Sequence, residues 1–104
     1  MSDLPGTWAL RMRTPIGSIT AEMTFRAEDG GLTGTASGAA ETVELVDVRS
    51  SPADDGEHVT WRQSITKPMR LHLDFDVVVS GDELHGHSRA GRLPRSTVTG
   101  RRVG

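Results

Sequence analysis

Hydrophobic and polar residues alternate along most of this chain. Ile19, Ala21, Met23 and Phe25 interleave with Thr20, Glu22, Thr24 and Arg26, and Leu71, Leu73, Phe75, Val77 and Val79 interleave with His72, Asp74, Asp76 and Val78. A period of two, with one oily and one charged face, is the pattern of a half-buried antiparallel strand. It predicts eight strands, over 7–13, 18–27, 32–37, 42–49, 57–66, 69–79, 83–90 and 95–103. Turn-forming residues separate them, among them Asp29-Gly30, Pro52 to Gly56, Lys67-Pro68 and Gly81-Asp82. If Asp29-Gly30 and Gly81-Asp82 are two-residue hairpin turns, Phe25 faces Gly34 and Val77 faces Gly86. The second register also sets Asp76 against His87 and Asp74 against Arg89 as opposite-charge pairs.

The pattern is written twice. Trp8 stands seven residues before Pro15 and Trp61 seven before Pro68, an offset of 53, while Leu32-Thr33-Gly34 answers Leu84-His85-Gly86 at 52. Each half carries one Trp and one Phe. The expectation is one all-β domain over 1–104, an eight-stranded antiparallel up-and-down β-barrel. It is built from two four-stranded half-repeats, about 6–49 and 57–102, with a β-sandwich as the alternative.

At 104 residues the chain can build one modest core. It has no cysteine, which removes disulfides and thiolate metal sites and fits a reducing, cytoplasmic setting. The first residues show no signal-peptide pattern and no apolar run reaches membrane length. The basic residues are 11 Arg and one Lys, scattered rather than clustered, with a net charge of −2. That distribution argues against a nucleic-acid partner.

The meander sorts its connections onto two ends. One carries Glu28, Asp29, Asp54, Asp55, Glu57, Asp82 and Glu83 with no cation in its loops. The other is apolar and locally basic, with Pro15, Ile16, Ala39, Ala40, Pro68, Met69, Leu93 and Pro94 beside Lys67, Arg92 and Arg95. It reads as a barrel mouth for a small hydrophobic or weakly anionic molecule, or as turns shaped by Pro and Ala. Inward positions expected to line a pocket are Trp8, Met12, Met23, Phe25, Trp61, Leu73, Phe75 and Ser88. Ile19 is also expected inside, and the glycines either widen the hollow or permit curvature. Gln63 is the expected donor to a bound carbonyl. Asp47 points inward if its strand keeps phase with Val43 and Leu45, and Glu44 does so in the opposite phase. Either carboxylate would then be a candidate proton-transfer group. His72, His85 and His87 do not meet the geometry of a zinc site, and no cofactor motif is present, so neither metal nor cofactor is expected.

Gly6-Thr7-Trp8, Thr14-Pro15-x-Gly17, Leu32-x-Gly34 and Thr99-Gly100-Arg101 resemble a short bacterial β-barrel domain of uncharacterised function, frequent in actinobacteria. More loosely the architecture is similar to calycin-like barrels (lipocalins, avidins and allene-oxide-cyclase-like barrels). That resemblance implies either a carrier of a small hydrophobic molecule or a cofactor-free isomerase or cyclase of a natural-product, polyketide-like pathway. A solid-core structural or oligomerisation module is the third reading, and a homodimer the expected assembly. Whether the chain is an enzyme stays open at this level.

Overall fold

The computed structural model describes residues 4–14, 17–28, 30–38, 41–66 and 70–104. Asp29, Pro15, Ile16, Ala39, Ala40, Lys67, Pro68 and Met69, invoked above for turns and the mouth, lie outside them. Among the described residues there are nine strands. They are β1 (Gly6–Thr14), β2 (Gly17–Glu28), β3 (Gly31–Ser37), β4 (Thr42–Glu44), β5 (Val46–Ala53), β6 (Gly56–Ile65), β7 (Leu71–Ser80), β8 (Glu83–Ala90) and β9 (Ser96–Arg102). They form one antiparallel sheet in the order β4-β3-β2-β1-β9-β8-β7-β6-β5. No helix is long and apolar enough to cross a membrane.

The fold is an all-β, nearly closed antiparallel barrel with nine strands rather than eight. The difference arises at the expected strand 42–49, which divides at Leu45 and runs on to Ala53. Its first part pairs with β3 (Thr35↔Glu44, Ser37↔Thr42), its second with β6 (Arg49↔Thr60, Ala53↔Gly56). One strand thus serves both edges of the sheet in turn. The Leu45 amide donates to the Gly34 carbonyl at 2.9 Å and marks the changeover. Nothing in the sheet order sets off two four-stranded units, so the half-repeat architecture is not adopted here.

The changeover also resolves the phase of this segment. Val43 and Leu45 face inward, then the register shifts between Val46 and Arg49, and Val48 takes the next inward position. Asp47 occupies the bulge with φ 53°, the one non-glycine residue with positive φ among those described. An extra residue in one strand of a pair bends it and re-aims the side chains that follow. The expectation of an inward carboxylate is therefore corrected, because Asp47 and Glu44 are both exposed.

Elsewhere the expected hairpin registers are present. Phe25 faces Gly34, Met23 faces Ala36, Val77 faces Gly86 and Phe75 faces Ser88. Asp76 lies opposite His87 and Asp74 opposite Arg89, yet both carboxylates turn to the other neighbouring strand. Asp76 pairs with His58 at 2.6 Å and Asp74 with Arg62 at 3.1 Å. Each strand in a sheet interior has two flanks, and hairpin register alone does not choose between them.

The core is aromatic at its centre. Trp61 stacks on Phe75 with ring centroids 4.8 Å apart and meets Phe25 edge-on at 5.2 Å. These are the offset and T-shaped arrangements that ring quadrupoles favour. Trp8, Met23, Leu73, Val77 and Val98 are buried around them. Ile19, expected inside, is 47% exposed. Near the start of β2 it lies beyond the wall that would cover it.

Gly86 shows why a small residue faces Val77. A Cβ built there would lie 2.6 Å from the Val77 Cα, a backbone atom that cannot yield without moving the ladder. Gly86→Ala is expected to destabilise the protein by about 1–3 kcal/mol in urea unfolding. Gly38→Ala, with nothing within 4 Å and no positive φ, should change stability by less than about 0.5 kcal/mol.

Candidate functional site

The two barrel ends differ in how they are finished. At the acidic end, Leu4 is fully buried and its carbonyl accepts from the Trp8 indole at 2.8 Å. Arg102 lies over the Trp8 ring at 4.6 Å, donates to Asp82 at 2.9 Å and donates to the Pro5 carbonyl at 2.6 Å. The end expected to lack a cation thus receives one from β9, outside its loops. Leu4 was not among the expected core residues, because a single leucine before Pro5 has no periodicity to reveal it. Together these contacts cover Trp8 at that end.

The opposite end is looser. Met12, Val43, Ile65, Leu71 and Ala90 are only partly buried, although they pack on the core. Leu93, in the connection before β9, is 55% exposed. Beneath this apolar rim, two polar side chains face inward on the wall formed by β6, β7 and β8. Gln63 is 6% exposed, and its amide oxygen accepts from the Trp61 indole at 3.1 Å. That bond leaves the amide nitrogen as the donor. Ser88 is 2% exposed, and its hydroxyl has no hydrogen-bond partner among the described residues. A buried hydroxyl without a partner costs roughly 1–3 kcal/mol, so its retention calls for a reason.

The expected pocket residues are therefore together, but as packing. Trp8, Met23, Phe25, Trp61, Leu73, Phe75 and Ser88 are buried, and Met12 is half-buried near the rim. Of the two indoles expected to flank a hollow, Trp61 packs directly on Phe75 and Phe25. Arg92 and Arg95 are exposed at the rim end, while Lys67 lies outside the described residues. Arg95 turns to the outer face and lines a cleft there.

That cleft has a volume of about 470 Å³ and lies on the outer surface of β5 to β8. Its lining alternates outward side chains (Arg62, Asp74, His87 and Arg89) with the strand segments at Trp61, Phe75 and Ser88. Asp47 and Arg49, delivered by the bulge, form one side. No expected motif pointed to this place. Its residues are spread over five chain segments, and only the sheet order brings them together. No group of His, Asp or Glu among the described residues could hold a metal ion.

No protein-family model and no curated protein matches the chain. Among solved structures, a redesigned β-barrel superimposes with a TM-score of 0.71 over 97% of this chain and 92% of its own. The fold is that of a small β-barrel. At 18% sequence identity the likeness carries architecture and no activity.

If Ser88 is held for a reason other than stability, Ser88→Ala should leave the barrel as stable or raise its unfolding free energy by about 1 kcal/mol. Thermal and urea unfolding of the two proteins measure this directly. A loss of more than 1 kcal/mol would mean that the hydroxyl has a structural partner.

Proposed function

We propose that this barrel binds a small, largely apolar molecule with a carbonyl or weakly acidic head group, taken up at the apolar rim rather than carried at the centre. The observation that carries the reading is the buried, unpartnered Ser88 hydroxyl on the same inward wall as the donor nitrogen of Gln63. An apolar rim over a few placed polar groups is the usual composition of a small-molecule site. Met12 supplies an adaptable wall. Fold-level analogy with calycin-like carriers points the same way and is a weaker warrant.

Binding is favoured over catalysis because the chemistry of a cyclase lacks its proton carrier. Asp47 and Glu44 are exposed, and Glu41, at this rim, places its carboxylate on the Thr66 amide and hydroxyl, each at 2.7 Å. Gln63 could polarise a carbonyl, but no carboxylate faces inward beside it among the described residues. The isomerase or cyclase reading accordingly ranks below a non-catalytic carrier.

The test is a titration with decanoic acid, cyclic ketones and an anilinonaphthalene sulfonate. It is followed by tryptophan fluorescence and by the NMR signals of the Trp61 indole and the Gln63 side-chain amide. Saturable shifts at both groups are expected, with Gln63→Leu weakening binding about tenfold, the worth of one buried hydrogen bond. Mass spectrometry of compounds released on denaturation would then identify the natural ligand. Absence of any saturable response across the panel would instead favour a solid-core structural or oligomerisation module.

A further inference from the structure

The outer cleft is a second place where the chain concentrates unspent chemistry. It is walled on one side by the bulged β5 and on the other by Arg89 of β8 and Arg95 beyond it, with β6 and β7 as the floor. Four guanidiniums (Arg49, Arg62, Arg89 and Arg95) meet three carboxylates (Asp47, Asp74 and Asp76) and His87 there. On the floor two carboxylates already have partners: Asp74 pairs with Arg62 at 3.1 Å, and Asp76 is hydrogen-bonded to His58, 2.6 Å away and outside the lining. Arg49, Arg89 and Arg95 have no ion-pair partner among the described residues. The chain as a whole has a net charge of −2, so a cationic rim runs against the general balance.

Register sets how far apart these groups start. Arg49, Thr60, Asp76 and His87 stand on one row across β5, β6, β7 and β8, with Arg62, Asp74 and Arg89 on the next outward row. Four adjacent strands span about 14 Å between outer backbones. Long side chains leaning in from the two sides can meet over the floor. The backbone adds a separate observation. The non-glycine residue held at positive φ is Asp47, in the bulge that brings Arg49 back onto the outer row. Strained conformations and bulges persist where the surrounding structure enforces them, and they cluster beside binding sites.

We infer that this cleft is an oxyanion site for a phosphate-bearing small molecule, with Arg49, Arg89 and Arg95 binding the phosphoryl oxygens from opposite sides. Three guanidiniums offer more donors than the two oxygens of a carboxylate can use, and a phosphate monoester presents three oxygens to them. The remaining volume takes the organic part of the ligand beside Thr60 and His87. The site is independent of the apolar rim, since it lies on the opposite surface of the same wall.

The test is an NMR titration of the full chain with phenyl phosphate, inorganic phosphate and citrate, at ionic strength held constant with sodium chloride. Saturable shifts of the Arg49, Arg89 and Arg95 side-chain signals and the Asp47 amide are expected with both phosphates. Arg49→Gln and Arg95→Gln should each weaken binding about tenfold. Arg26→Gln, an exposed arginine on the outer face of β2, should leave it unchanged. Unsaturable shifts, or equal losses in the Arg26 variant, would mean a solvated charge cluster and overturn the site. Tighter binding of citrate than of phenyl phosphate would overturn the phosphate assignment. Responses confined to the Trp61 indole and Gln63 amide would belong to the rim, which keeps the two readings separable.

Discussion

Closure of the sheet depends on one strand changing its partner. Residues 42 to 53 must ladder with β3 at their start and with β6 afterwards, because a tilted strand cannot stay in register with both neighbours along its whole length. The Leu45–Gly34 bond makes the transfer, and the bulge at Asp47 absorbs the mismatch. Without the bulge, strict alternation from Leu45 would turn Asp47 and Arg49 toward the aromatic cluster. Two charged groups would then enter a wall whose other inward residues are apolar or neutral, at a desolvation cost of several kcal/mol for each unpaired ion. The same irregularity therefore keeps both charges out of the interior and places them on the outer face.

The interior and the exterior divide the work accordingly. Stacked and edge-on rings fill the middle, so stability comes from the Phe25–Trp61–Phe75 cluster and the aliphatic residues around it. Both proposed binding sites lie where that packing ends. One is the rim, where Met12, Ile65 and Leu71 are half-covered above Gln63 and Ser88. The other is the outside of β5 to β8, where charged side chains outnumber their mutual pairings.

Much of the strand pattern was legible in the chain, because a period of two and two glycine turns suffice to set hairpin registers. Phe25 opposite Gly34 and Val77 opposite Gly86 follow from those signals alone. The break at Leu45 was not legible, since Val43, Leu45 and Asp47 read as continuous alternation and no proline or glycine announces the bulge. Asp in the left-handed region is tolerated sterically better than most residues, so its identity gives no warning either. Ion pairs failed for a related reason: Asp74 and Asp76 each had candidate partners on two strands, and only three-dimensional geometry selects Arg62 and His58. Ile19 and Asp47 lie outside the expected interior. The expected lining residues do face inward, but small residues at Gly34 and Gly86 accommodate close backbone approach instead of leaving space.

The seam between the two margins of the sheet is fastened unequally. At the rim end the Glu41 carboxylate accepts from the Thr66 amide and hydroxyl, tying the residue before β4 to the residue after β6. At the acidic end no ladder joins Gly31 and Leu32 to β5, and a gap of about 520 Å³ opens between Leu32, Val48 and Ser50. Leu32 and Val48 cover the core there by side-chain packing, so the facing flanks of β3 and β5 are left as open strand edges.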